Sequence, residues 1–481
     1  MNKALQLTAT SLLVSGMSLA QPLHADTANL ASEASSANSP SDTADSADRT
    51  VSASSRDALG FTLQHRFNGG EPLPTETIKF SPEQPLENPL FFLEALKQNF
   101  SKHLEKQKKP LQIDTELELL LSARDTKFFG QLPKVFIKTN VESDGSGKSD
   151  LVFPAYRREV PEKFGKGLFD WKGLDGQFSF TDQFENITAA LNLAGFTAEE
   201  DNFAASLGKS AFSGTFDADF MPTQMKWNLP SFKVRDNDGK LDLQAMTLKL
   251  NVDKTPKGLE LNNVNFNVGH VGFSEPGFKT SLDGLAVTTA GSVQNGVINY
   301  TLQTQIDKLV IISDKAPKEA LELSHVGKLA FSRIDEEALL ALQTTAHQLR
   351  GQGYHPMLLM IMLGQFMEVA PKLLAKSPEI ALTPFTVTTS KGNLQAHLNI
   401  RLDSKKVTEL AKPALIKALQ AQVNFTIGKE LLKQDVTGLQ VNFIKAWLVD
   451  AGDGNYKFNA ELKDSKLTVN GHKIPLPIGA Q

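Results

Sequence analysis

The sequence predicts an α+β chain that is mostly β: a large curved antiparallel sheet, a β-meander with bulges, capped by a helix hairpin. Three observations carry this reading. From Leu111 to Phe331 apolar residues recur with a period of two, and turn residues such as Asp144-Gly145-Ser146-Gly147, Asp236-Asn237-Asp238-Gly239 and Pro276-Gly277 punctuate the run. Within it, Leu241, Leu243, Met246, Leu248 and Leu250 are followed eighteen residues later by Leu259, Leu261, Val264, Phe266 and Val268 in the same spacing. The extra residue in the middle of each set reverses the side-chain phase, which marks a bulge and bends a sheet. Leu282, Leu285 and Val287 repeat the second half, and Leu321, Leu323 and Val326 the first. Third, an apolar helical stretch ends at Pro378, before which the backbone is pushed into the extended region, and two long strands follow.

Taken in order, residues 1–25 read as a secretory signal: Lys3, an apolar core from Ala4 to Leu19, and small residues at Ala20 and Ala25, either of which fits cleavage. The competing reading is a retained anchor, which needs about 20 strongly apolar residues. Thr8, Thr10, Ser11, Ser15 and Ser18 dilute this stretch, so a periplasmic mature chain without a transmembrane span is expected. Residues 26–57 are rich in Ser, Ala and Asp with almost nothing to bury, the composition of a disordered tether.

Residues 58–110 hold a strand, Phe61 to Phe67, a turn at Asn68-Gly69-Gly70, and a helix opened by Asn88-Pro89. Phe92, Leu93, Leu96, Phe100 and Leu104 share one face of that helix, and Pro110 ends it. Residues 111–334 are the antiparallel region. Residues 335–377 are the helix hairpin: Asp335 is the N-cap, Leu339, Leu342, Ala346 and Leu349 form a stripe, and Gly351 closes the first helix. The second helix, "MLLMIMLGQFMEVAPKLLAK", is apolar nearly all round, so burial between sheet and partner helix is expected. Residues 378–481 are strands with short helices. Ser390-Lys391-Gly392-Asn393 turns one hairpin, and in another Tyr456, Phe458, Ala460 and Leu462 pair with Leu467 and Val469.

Charge and composition exclude several functions. Fifty Lys and Arg against 54 Asp and Glu give a formal net charge of -4, without the basic face that nucleic acid requires. No cysteine is present, which removes disulfides, thiolate metal sites and lipidation of a signal cysteine.

"GKLAFSRIDEEALLAL" at 327–342, "APKLLAKSPEIALTPFTVTTSKGNLQAHLNI" at 370–400 and "LTVNGHKIPL" at 467–476 resemble the YdgA family of bacterial envelope proteins, with weaker similarity from about residue 133 onward. The resemblance implies a periplasmic body of undefined biochemical role, and it supplies no catalytic residues. Family members usually begin with an uncleaved inner-membrane helix, and this sequence departs from them there.

Candidate chemistry is sparse. Gly147-Lys148-Ser149 imitates the end of a phosphate loop, but Glu142 stands where the motif needs glycine and a strand follows, so a hairpin turn is expected. Asp236-Asn237-Asp238-Gly239 lacks the later ligands of a calcium loop and reads as a turn. Asp335, Glu336 and Glu337 suit the first turn of a helix through its dipole. The nine histidines are dispersed; His347 and His355 could meet across a loop, while His397 falls on the polar face of its strand. No catalytic residue, cofactor or metal is therefore expected.

Met357, Met360, Ile361, Leu363, Phe366 and Met367 either fill the core or form an apolar ligand or partner surface. The function expected is that of a non-enzymatic periplasmic envelope protein that binds a protein partner or itself as a homodimer. The alternative is a carrier of lipid or another apolar ligand in a curved β groove. A third possibility is an enzyme whose scattered carboxylates or histidines converge on folding.

Overall fold

The computed structural model describes residues 59–80, 91–105, 107–162, 166–314, 320–349, 356–407, 417–433 and 447–475. The expected signal and tether, the Asn88-Pro89 helix start and the Gly351–His355 turn lie outside the described residues. The chain divides into two compact units, Met1–Asp201 with Ala211–Pro222, and Asn202–Ser210 with Thr223–Gln481.

The first unit contains β1 (Leu59–Phe67), β2 (Glu76–Phe80), β3 (Leu111–Leu120), β4 (Val135–Val141), β5 (Gly147–Phe153), β6 (Tyr156–Val160), β7 (Gly167–Trp171), β8 (Leu174–Phe180), β9 (Asn186–Leu193) and β10 (Phe196–Glu200). After β11 (Phe203–Leu207), which belongs to the second unit, β12 (Ser210–Asp217) returns to the first. Antiparallel pairing orders the strands β2-β1-β3-β4-β5-β8-β9, with β12 beside β9, while β7 pairs with β6 and β10. The alternation read from sequence appears as burial of Leu111, Ile113, Thr115 and Leu117 along β3. Helix α1 (Phe91–Leu104) adds Leu104 and Phe100 to a core of Leu111, Ile113, Val141 and Phe180, and Leu96 to one of Phe61, Leu63, Leu117 and Val135. Each such buried side chain contributes roughly 1.5–3 kcal/mol.

One short helix inside the expected β region was not legible in the sequence: α2 (Ala123–Phe129). It is a local capping effect. Ser122 Oγ accepts from the Asp125 amide at 3.0 Å and donates to Asp125 Oδ2 at 2.7 Å, which stabilises a helical turn too short to show a period.

The second unit continues with β13 (Pro222–Arg235), β14 (Lys240–Lys254), β15 (Glu260–Glu275), β16 (Phe278–Gln294), β17 (Val297–Ser313), β18 (Leu321–Asp335), β19 (Glu379–Thr389), β20 (Gly392–Leu402), β21 (Leu419–Gly428), β22 (Val449–Gly452), β23 (Asn455–Lys463), β24 (Lys466–Val469) and β25 (His472–Ile474). They form an antiparallel meander in which β11 pairs with β13, each strand from β13 to β21 with the next, and β21 with β23. Strand β23 also pairs with β22 and β24, and β24 with β25. Helices α3 (Glu336–Leu349) and α4 (Pro356–Ala375) connect β18 to β19, and α5 (Lys429–Lys433) follows β21.

The phase reversal lies where the sequence places it in β14 and β16, between Leu243 and Met246 and between Leu282 and Leu285. In β15 it falls at Gly269 and not between Leu261 and Val264, where the ladder with β14 is unbroken. Its form also differs from a two-against-one bulge. The ladders skip Ala245 opposite Pro230, Gly269 opposite Ala245, and Gly284 opposite Gly269, with the same register on either side. Each strand carries its own extra residue at the same level, so neighbours reverse together and stay in register. Ala245 (φ 53°) and Gly284 (φ 66°) make the reversal through left-handed backbone, and Leu243 and Met246 are buried on either side of Ala245. Register does change beyond this row, between Ile306 and Leu309, between Ile298 and Tyr300, and at Thr383-Pro384 against both neighbours of β19. Proline cannot donate to a ladder, so within a central strand it is accommodated at a bulge.

Candidate functional site

The helix hairpin is fixed to the second unit by its first helix. Asp335 Oδ1 accepts from the Ala338 amide at 3.0 Å, the expected N-cap. Gln343 clamps Glu260 at both ends, accepting from its amide at 2.9 Å and donating to its carbonyl at 3.1 Å. Leu339 and Leu340 pack on Leu259, Leu261 and Ile298, whereas Ala346 of the expected stripe is exposed. Glu337, its carboxyl held below the usual range by the hydrogen bond from Lys257, pairs with Lys257 at 2.7 Å and with Lys372 of α4 at 3.7 Å. Glu336 is buried at the helix start, where the dipole favours a carboxylate.

Helix α4 is not buried, contrary to the expectation from its composition. Met360 is 66 % exposed, Ile361 43 %, Leu363 52 %, Phe366 47 % and Met367 54 %; the Met357 side chain lies outside the described residues. Only Val369 and Ala370 among its described residues are buried. A helix offers one stripe to its support, and here the solvent side is as apolar as the supported side. Met360, Leu363, Gly364 and Met367 stand at i, i+3, i+4 and i+7 on that outer face, and no ionisable residue occurs from Pro356 to Met367. A Cβ built at Gly364 meets nothing within 4 Å, so the middle of the stripe is open to close approach. No described helix is long and apolar enough to cross a membrane.

A second apolar surface lies on the sheet from β17 to β23. Tyr300, Phe331, Ile380, Ile400, Ala421 and Leu462 stand opposite one another strand by strand. Leu302, Leu329, Leu382, Leu398, Val423 and Ala460 make the next row, and Phe385, Ala396, Phe425 and Phe458 lie in a third. All of these side chains are partly covered and none is buried. Phe425 and Phe458 stack with ring centres 5.3 Å apart.

The end of these rows, where β19 and β21 begin and β20 and β23 finish, is held by loop contacts. Leu402 donates its amide to Pro378 O at 3.1 Å, Asp403 to Ala418 O at 2.8 Å, and Ser377 Oγ to Ser404 Oγ at 2.9 Å. Exposed Lys376, Lys405 and Lys406 lie in the loops at this end, while exposed Arg401, Lys463 and Lys466 alternate onto the face opposite the rows. Lys406 bridges Asp464 and Asp403, and Glu379 is engaged by Arg333 at 2.7 Å.

The first unit holds a polar network that dispersed positions concealed in the sequence. His65, 3 % exposed, contacts Thr115 Oγ1 through Nδ1 and Asn99 Oδ1 through Nε2, both at 2.8 Å. Asn99 Nδ2 donates to Glu76 Oε2 at 2.7 Å, and His103 Nε2 lies 2.8 Å from Glu76 Oε1. Because Asn99 presents its oxygen to the ring, Nε2 carries the His65 proton and Nδ1 accepts from Thr115. Burial lowers the His65 pKa. Burial acts to raise that of Glu76, but the hydrogen bonds and charges of His103 and Lys102 together outweigh it and the carboxyl titrates below its usual range. The connectivity is that of a hydroxyl, a base and its orienter, yet Thr115 is itself buried, so the hydroxyl faces the core rather than a substrate.

The remaining motifs resolve as structure. Asp144 Oδ1 accepts from the Ser146 amide at 2.9 Å in the β4–β5 turn, and Asp236 Oδ1 from the amides of Asp238 and Gly239 in the β13–β14 turn. His397 meets Thr383 Oγ1 at 2.5 Å, and His347 lies 4.0 Å from Glu260, while His355 is outside the described residues. Among the described residues no three metal-ligating side chains converge.

A family model, DUF945, bacterial protein of unknown function, matches residues 111–477. No curated protein and no solved structure matches the chain.

Proposed function

The chain belongs to the DUF945 family of bacterial proteins, and on that footing we propose that it is a non-enzymatic, YdgA-type protein of the periplasm that acts by self-association through α4. The observation that carries this reading is the exposed stripe of Met360, Leu363, Gly364 and Met367. Removing such side chains from water contributes about 25 cal/mol per Å² of apolar area. The uncharged stripe needs no charge on its partner, so a second copy of the same stripe buries it without stranding an ion. Gly364 in mid-helix weakens an isolated helix by about 1 kcal/mol relative to alanine, and close approach of a second helix gives it a use. The burial of both His65 and the Thr115 hydroxyl inside the core supports binding rather than catalysis.

Light scattering tests the reading. The exported chain is expected to be a dimer that Leu363→Asp with Met367→Asp converts to a folded monomer. A wild-type chain that stays monomeric at high micromolar concentration overturns it. Cell fractionation tests the periplasmic address, where a cytoplasmic chain overturns that part alone.

A further inference from the structure

We propose that Met360 and Met367 form an oxidation site that regulates the α4 contact: their thioethers take up oxygen from a peroxide, and the resulting sulfoxides open the self-association. The contact regulated is the one proposed above, and this inference rests on it.

Exposure dictates which sulfurs react. The chain has nine methionines and no cysteine, so no thiolate competes for an oxidant. Six methionine side chains lie among the described residues. Met225 and Met246 are 2 % and 1 % exposed, and Met221 and Met362 are half-buried. Of the six, only Met360 and Met367 are open to solvent, with more than half of each side chain accessible. Both stand on the outer stripe of α4, seven residues apart, on either side of Leu363 and Gly364. The two sulfurs that an oxidant reaches first are therefore the two that a second copy must cover.

The chemistry is an oxygen transfer that moves two electrons. A lone pair on the thioether sulfur attacks one oxygen of hydrogen peroxide, the O–O bond breaks, an S–O bond forms, and the other oxygen leaves as water. The sulfur is oxidised and the peroxide reduced. Methionine sulfoxide is polar and chiral where the thioether was apolar and pliant. The stripe of Met360, Leu363, Gly364 and Met367 carries no side-chain donor, and the same stripe of a second copy supplies none. A sulfoxide oxygen buried there is left unpaired, which weakens a contact about ten-fold or more apiece. Each copy brings two.

The test adds hydrogen peroxide to the exported chain at high micromolar concentration and after dilution. Peptide mass spectrometry reads oxygen uptake at each methionine, and light scattering reads association. Met360 and Met367 are expected to react about ten-fold or more faster than Met225 and Met246, and faster in the dissociated chain than in the dimer. The dissociation constant is expected to rise about 100-fold or more, with the folded circular dichroism signal kept. Methionine sulfoxide reductase with dithiothreitol is expected to restore the dimer. In Met360→Leu with Met367→Leu, peroxide is expected to shift the variant's own dissociation constant by less than about two-fold. Buried Met225 and Met246 reacting as fast as the stripe, a dimer that survives sulfoxide at both positions, or an equal shift in the leucine variant overturns the proposal and leaves self-association standing. An untreated chain that stays monomeric overturns both.

Discussion

The first unit and the wide sheet of the second use the same antiparallel ladder but close it differently. Around β1 and β3 the inward side chains are sealed: Phe61, Leu63, Ile113 and Leu117 are buried, and even the polar His65 and Thr115 are enclosed with their partners. Within the strands from β16 to β25 the buried apolar side chains among the described residues are Ile298, Ile427 and Val469, although these strands are as regularly apolar as β3. Alternation makes a face apolar; only a second layer makes it a core. In the first unit α1 and its own strands supply that layer, and along β17–β23 much of the apolar face retains exposure.

The comparison breaks most readily on matched truncations. Phe61→Ala in the sealed unit is expected to cost about 3–5 kcal/mol, and Phe425→Ala on the open face about 1–2 kcal/mol. Hydrogen exchange read peptide by peptide reports each region separately, and equal losses would erase the distinction.

A smaller effect follows from pH. The folded His65 pKa lies below 6.5, so well above that pH the imidazole is neutral in both states and its network contributes fully. As pH falls below 6.5 the unfolded chain takes up a proton first, and the stability of β1, α1 and β3 declines until pH passes the folded value. Glu76, with its lowered pKa, acts in the same direction at more acid pH: its contribution is lost as pH falls through that lowered value. Exchange protection one unit above and one unit below 6.5 is expected to fall in these peptides but not in β17–β23. His65→Gln is expected to weaken the network at the higher pH and to flatten the decline. An undiminished decline in that variant would assign it to other groups.

The smallest effect concerns the aligned reversals. Ala245→Gly relieves left-handed backbone at φ 53° and is expected to stabilise β14 by at most about 1 kcal/mol, the gain being offset by glycine's entropy. Gly284→Ala acts oppositely, because its Cβ would lie 2.0 Å from Asp307 Oδ2. Urea midpoints for the pair would sharpen the account, and a destabilised Ala245→Gly would remove strain as a feature of the row.

Much of this architecture was legible in residues. The period of two announced β14 and β15, the spacing of Leu243 and Met246 announced the reversal, and Asp335 and Pro378 marked where the hairpin begins and ends. The reversal's form was not legible, because a bulge in one strand and matched extra residues in two leave the same trace along a single strand. Helix α2 escaped because seven residues capped by Ser122 carry too few apolar positions to show a period. The α4 stripe was readable as six named residues but not as a surface, since Met, Ile, Leu and Phe spell core and interface alike. The His65 network left no trace: His65, Glu76, Asn99 and Thr115 are far apart in sequence and meet only when β1, β2, α1 and β3 pack.

The sequence by itself determined the local alphabet: which stretches extend, which coil, where they turn, and which side of each strand is oily. Those follow from sterics and side-chain periodicity acting over a few residues. Only the tertiary structure decided which oily sides are covered and which polar groups share a buried network. Coverage and proximity are set by strands and helices distant in the chain, and no short-range pattern records them.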